Sequence, residues 1–270
     1  MATETSANPF ARGAVLLMFA VGFAAFIALL YALGAGGALR SANNGQAHGA
    51  SSSLVGYSAL AHLLEKTGTR VSYGRNPAAL SQQDLLIVTP QLGSDPEELQ
   101  AMVEQRAFTG PTIIILPKWQ VTPLDGMQRG WVQLDSTFAA LQAPQVLSRL
   151  VAVKTRIEGV DSRFASMLFV QPDRADEKTA MLKQALKSRV TISGDKLKTV
   201  LADKATGAAR VALIDDGGWY PSLDPDAPDD APQAPGVQQG RYPVVIVADA
   251  DLMNNLGLAN RKTAEQALNI

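Results

Sequence analysis

Apolar positions run almost without interruption from Ala14 to Leu33 (AVLLMFAVGFAAFIALLYAL), and residues 13–39 carry no charge. At about 1.5 Å of rise per residue this stretch reaches about 30 Å, the hydrocarbon thickness of a bilayer. It predicts a transmembrane helix over residues 14–34 behind a short N-terminal tail, residues 1–13. A cleaved signal peptide is the alternative, because Gly36 and Ala38 form a small-x-small pair. The lone Arg12 beside Glu4 and the length of the apolar run argue against it. Arg12 and Arg40 balance the positive-inside count, and the α-amino group tips it towards a body outside the cytoplasm. The expectation is a single-pass signal-anchor in a bacterial inner membrane, with the following domain on the periplasmic side.

Residues 35–53 are small and polar and read as a linker or a docked loop. Leu54, Tyr57, Ala61 and Leu64 then recur at helical spacing, with Ser53 placed to cap the helix and Gly68 to end it. Thr69 to Tyr73 reads as a short strand. Asp84–Thr89 (DLLIVT), Pro111–Leu116 (PTIIIL) and Pro243–Ala248 (PVVIVA) are continuous apolar runs, the mark of strands buried on both faces. Between the first two lies a helix capped by Ser94 or Asp95, with Pro96, Glu97 and Glu98 in its first turn and Leu99, Met102 and Val103 as its apolar stripe. Strand, helix, strand with short connections is a βαβ unit.

Beyond Pro117 the pattern weakens. Residues 131–170 read as irregular or β-rich, 176–187 as a helix, 198–215 as a hairpin, and 215–240, crowded with aspartate and proline, as a solvated loop. A last helix begins near Asn260. The prediction for residues 54–270 is an α/β domain with a Rossmann-like or flavodoxin-like parallel sheet. Its core comes from 54–118 and 243–270, and about 119–242 form a β-rich insertion.

Composition narrows the chemistry. The 270 residues carry a formal net charge of −1 with no basic block, which gives no footprint for a nucleic-acid partner. No cysteine is present, so disulfides, thiolate nucleophiles and cysteine-ligated metals are excluded. The motifs G-x-S-x-G, G-x-x-x-x-G-K-[ST], H-E-x-x-H and G-x-G-x-x-G are absent. The acidic loop is not an EF-hand: counting from Asp224, the sixth position is Asp229 where glycine is needed and the twelfth is Pro235 instead of glutamate. No cofactor is implied.

The strongest candidate site is DADLMNN, Asp249 to Asn255, because it follows a buried strand where open α/β sheets place ligands. Asp249, Asp251, Asn254 and Asn255 have the oxygen atoms to hold a divalent cation or to hydrogen-bond a polar ligand. Equally, Asp251 suits a helix cap and the asparagines a left-handed turn. An apolar strand ending in Asp-x-Asp also resembles the haloacid-dehalogenase phosphatases, with Asp249 as nucleophile and Asp251 as acid/base; Thr89 and Lys118 mimic that family's other strand-end groups. The order disagrees, since that motif opens its family's domain and here it closes the chain. His62 reads as a solvated helix residue. His48 stands in NNGQAHG with Asn43 and Asn44 nearby, either a functional loop or simple linker composition.

NNGQAHG, GYSALAHLLEKTGTRV, LLIVTP, IIILPKW and VVIVADADLMNNLGLAN together resemble a bacterial family known as domain of unknown function 4350. The resemblance implies a membrane-anchored domain distantly similar in fold to class I glutamine amidotransferases, encoded near MoxR-type ATPases and other membrane proteins. It places the family's characteristic groups at Asn43, Asn44, His48 and Gly49, and at Asp249, Asp251, Asn254 and Asn255. Members commonly continue beyond the end seen here, so the resemblance also implies a longer chain. Amidotransferase chemistry needs a cysteine on a strand-to-helix elbow, which this chain lacks. The expected function is therefore a non-catalytic binding or assembly module of an inner-membrane system, with those residues as its ligand or partner surface. The alternative is a metal-dependent hydrolase or phosphatase using Asp249 and Asp251.

Overall fold

The computed structural model describes residues 12–34, 44–74, 80–124, 126–128, 130–159, 186–223 and 240–270. The chain divides into two compact units, residues 1–42 and 43–270.

In the first unit, helix α1 spans Arg12–Gly34, and its side chains are described over residues 15–29, with Leu16, Phe19, Phe23 and Phe26 exposed. Among the described residues no helix is long and apolar enough to cross a membrane. This corrects the expected transmembrane helix over 14–34, and with it the lipid-bilayer contact, the inner-membrane localisation and the periplasmic placement of the domain.

The second unit is built on a seven-stranded open sheet, in the order β1-β2-β9-β8-β6-β5 with β7 also paired to β8. Its strands are β1 (Leu86–Val88), β2 (Thr112–Ile115), β5 (Lys154–Glu158), β6 (Arg189–Ser193), β7 (Leu197–Ala202), β8 (Ala209–Ile214) and β9 (Val244–Val247). A separate hairpin joins β3 (Gln120–Pro123) to β4 (Val132–Ser136). β1, β2 and β9 run parallel, with Ile114 opposite both Val88 and Ile246. The remaining pairings are antiparallel, and β8 meets β9 with Val211 opposite Val247. The sheet is mixed. That corrects the Rossmann-like, flavodoxin-like parallel sheet: β5, β6, β7 and β8, expected in a β-rich insertion, extend the same sheet, because β8 offers β9 an apolar edge in register.

Apolar residues of the central strands alternate between two cores. Ile114, Leu116, Ala212, Ile246 and Ala248 face one, with Leu99 and Val103 of helix α3 (Pro96–Arg106) and Val146 of the short helix α4 (Ala143–Val146). Ile113, Ile115, Val211, Leu213, Val245 and Val247 face the other, with Leu60 of helix α2 (Ser58–Lys66), Leu252 and Met253. Burial on both faces explains why these strands read as unbroken apolar runs.

Local signals set several boundaries. Asp95 caps α3 by accepting the Glu97 amide at 2.9 Å, and Arg106 at its other end is 1% exposed and donates to the Leu80, Gln82 and Asp84 carbonyls. Gly68, at φ 93°, closes α2. α2 starts later than predicted, with Tyr57 rather than Ser53 in the capping position. Residues 69–73 form no strand; side-chain preference does not make a strand without an edge to pair with. The predicted helix over 176–187 lies mostly outside the described residues, as does the acidic loop over 224–239.

Candidate ligand site

β2 and β9 are adjacent, parallel and in register up to Ile115 and Val247, so the residues that follow each must meet beyond the sheet. Lys118 and Trp119 leave β2; Asp249 and Asp251 leave β9. The Lys118 side chain is wholly buried. Its Nζ donates to Asp251 Oδ2 at 2.6 Å, to the Ser188 carbonyl at 2.8 Å and to Asp249 Oδ1 at 3.0 Å. Three acceptors use all three ammonium hydrogens.

Both carboxylates are equally engaged. Asp249 Oδ2 accepts from Arg210 Nη2 at 2.6 Å, and its Oδ1 also takes the Asp251 amide at 3.3 Å. Asp251 Oδ1 accepts from the Trp119 indole at 2.6 Å and from Asn254 Nδ2 at 2.7 Å. Two cations thus neutralise two anions, and each carboxylate accepts three hydrogen bonds, the condition under which buried charge is tolerated.

A cavity of about 160 Å³ opens on one side of this cluster, at the carboxyl ends of β1, β2 and β9, with Gln46, Tyr57, Gln91, Trp119 and Asn254 among its walls. Open parallel sheets place ligands in this crevice. Tyr57 is 4% exposed. Burial, reinforced by Asp251 and Asp249, pushes its phenol well above the ordinary tyrosine pKa, so it stays a neutral donor. A second cavity of about 280 Å³ lies against Lys187, Arg189, Arg210 and Asp249. Arg210 Nε is buried there without a partner.

The two sequence loops converge. Asn255 Oδ1 accepts the Ala59 amide at 2.8 Å while its Nδ2 donates to the Ser53 carbonyl at 2.6 Å and the Ser51 carbonyl at 3.1 Å. Gly257, in helix α5 (Asn255–Leu258), packs so tightly that a Cβ would lie 1.5 Å from the Asp251 carbonyl oxygen. His48 pairs with Asn44 at 2.9 Å, and its carbonyl receives the Ser51 and Tyr57 amides. Gln46 and Ala47, from the same loop, line the smaller cavity together with Asn254; among the lining residues His48 does not figure. Asn43 lies outside the described residues. His62 is 72% exposed beside Glu65.

Capping does occur here, but by Asp249 and Asn254 and not by Asp251 as the alternative had it. Asp249 caps the turn at Ala250–Leu252 and Asn254 caps α5 by accepting the Gly257 amide at 2.8 Å. Neither asparagine is left-handed, since no non-glycine among the described residues has positive φ. A metal role fails on the same geometry. Among the described residues no group of three or more histidine, cysteine, aspartate or glutamate side chains is placed to hold a metal, and the oxygens of Asp249 and Asp251 already face Lys118 and Arg210. That corrects the metal-dependent hydrolase or phosphatase alternative.

Sequence reasoning placed Gln46 in the NNGQAHG loop but missed Tyr57, taken for plain core, and Trp119, Arg210 and Gln91. A lysine and a tryptophan immediately after a buried strand were the available signal. Arg210 offered none, because its partner is distant in the chain.

A family profile described as Domain of unknown function (DUF4350) matches residues 50–270. No curated protein and no solved structure matches the chain. The match begins just after the NNGQAHG loop, so Asn43, Asn44, His48 and Gly49 lie outside it. The amidotransferase-like outline is corrected by the mixed sheet and finds no matching structure. An association with MoxR-type ATPases has no support in any of these findings.

Proposed function

We propose that this chain, which belongs to the DUF4350 family, is a ligand-binding domain and not an enzyme. The observation that supports the reading is the engagement of Asp249 and Asp251, each pairing with Lys118 and accepting three hydrogen bonds. A catalytic nucleophile or base presents its carboxylate to substrate, whereas these two are turned to Lys118, Arg210, Trp119 and Asn254 as ion-pair and hydrogen-bond partners. They hold Lys118, Trp119 and Asn254, which line the crevice at the ends of β1, β2 and β9. On this reading Gln46, Tyr57, Gln91 and Asn254 meet the ligand; Asp249, Asp251, Asn255, Asn44 and His48 position them.

The test is a thermal-shift screen of a small-molecule library on the full chain, repeated on Gln46→Ala and Gln91→Ala. Compounds that raise the wild-type melting temperature and lose that effect in both variants are expected. Hits indifferent to both substitutions, or a turnover abolished by Asp251→Asn in a folded protein, would overturn the reading.

A further inference from the structure

We infer that the crevice at the ends of β1, β2 and β9 takes an uncharged molecule with a single six-membered ring and a hydrogen-bond acceptor, held by the Tyr57 hydroxyl and the amides of Gln46 and Gln91. The inference rests on the binding reading above and gives it a ligand class.

Size comes first. A cavity of about 160 Å³ is close to the roughly 150 Å³ engineered cavity that admits one benzene. One ring fills it.

Charge comes next. Among the lining residues Lys118 is the one ionic side chain, and its three hydrogens are already given to Ser188, Asp249 and Asp251. No donor remains on it for an anion. Nor is there a carboxylate in the lining, so a cation finds no counter-charge in contact.

The hydrogen-bonding groups then set the functional group. Tyr57 is 96% buried, taking its 4% exposure from unity, and it lines the cavity. Among the described residues its hydroxyl has no hydrogen-bond partner, and its oxygen is not one of the side-chain atoms sealed from solvent without one. The hydroxyl therefore opens to the cavity, where a ligand acceptor would take its hydrogen. Gln91 Nε2 is tied to the Ala47 carbonyl at 2.6 Å, which turns the amide and fixes the loop. Gln46 is exposed at the mouth. Amides carry both donor and acceptor, and so match a ring bearing hydroxyl or amide groups. Val55, Pro117 and Val121 supply apolar walls for the ring itself.

Hydroxylated sugar rings and amide-bearing heterocycles share this chemistry, and the probes separate them. Titration calorimetry and saturation-transfer NMR on the full chain would use glucose, N-acetylglucosamine, uracil and nicotinamide as uncharged rings. Benzoate and phosphate serve as anions, benzylamine as a cation, and toluene as a ring without an acceptor. At least one uncharged acceptor-bearing ring is expected to bind more tightly than every charged probe and than toluene. Tyr57→Phe, which keeps the ring and removes the hydroxyl, should weaken it about 5-fold to 10-fold, the value of one hydrogen bond. A charged probe that binds best, or an uncharged one indifferent to Tyr57→Phe, overturns the ligand class and leaves the binding reading standing. No binding by any probe, with no hit in the library screen, overturns both.

Discussion

Lys118 follows the buried run Thr112–Leu116, and a lysine in that position keeps its charge only where acceptors surround it. The structure supplies three. Removing the ammonium group would leave Asp249 and Asp251 buried with half their counter-charge. Lys118→Met should therefore cost about 3–5 kcal/mol, the usual penalty for breaking one side of a buried pair. Urea denaturation reads this as a lower midpoint at unchanged slope, and adding Asp251→Asn should recover part of the loss. At this scale Asp249 and Asp251 were legible, since Asp-x-Asp after an apolar strand marks a sheet's carboxyl edge. Tyr57 was visible too, but only as an apolar helix position. That its hydroxyl faces a cavity depends on a loop packed beside it. Arg210 was hidden because an arginine inside a strand looks the same whether it meets solvent or a carboxylate.

The β7–β8 hairpin was readable as an element from its two runs around Ala205–Ala208, and residues 197–202 and 209–214 form it. Its turn is fastened by Asp203, 3% exposed, which accepts the Ala205 amide at 3.0 Å and the Thr206 amide at 3.2 Å and pairs with Arg189. Burial alone would raise the Asp203 pKa. Arg189 and the two amides outweigh it and hold the carboxyl below its ordinary value. A pKa lower in the folded than in the unfolded chain contributes stability above the unfolded value, and that contribution is lost as pH falls through the folded one. The wild type should thus lose unfolding free energy as pH drops below about 4, and Asp203→Asn should show a shallower fall over the same range. Denaturant titrations at several pH values between 2 and 7 test it; parallel curves would refute the assignment. Less legible was the start of α2, where Ser53 offered cap chemistry but its backbone turned out to hold Asn255. Cap preference ranks residues and does not say which of them tertiary contacts have taken.

For the whole second unit, the slowest-exchanging amides should lie in β2, β9 and β8, which are paired on both edges and buried on both faces. Hydrogen exchange should show Ile114, Ile246 and Ala212 protected about 100-fold or more beyond the separate β3–β4 hairpin. Equal protection would mean that the hairpin and sheet open together. The sequence alone determined the existence of the buried strands, the helix between the first two, and the meeting of polar residues at their carboxyl ends. Continuous apolar runs, caps and breakers act over a few residues and leave a local mark. It also excluded every cysteine-dependent chemistry. The tertiary structure decided the rest: that β8 runs antiparallel to β9, so the presumed insertion belongs to the sheet; that no described helix suffices to span a bilayer; and that the two carboxylates are partners of Lys118 and Arg210 rather than metal ligands. Pairing direction and charge partnership are set by contacts between residues far apart in the chain, and no local pattern records them.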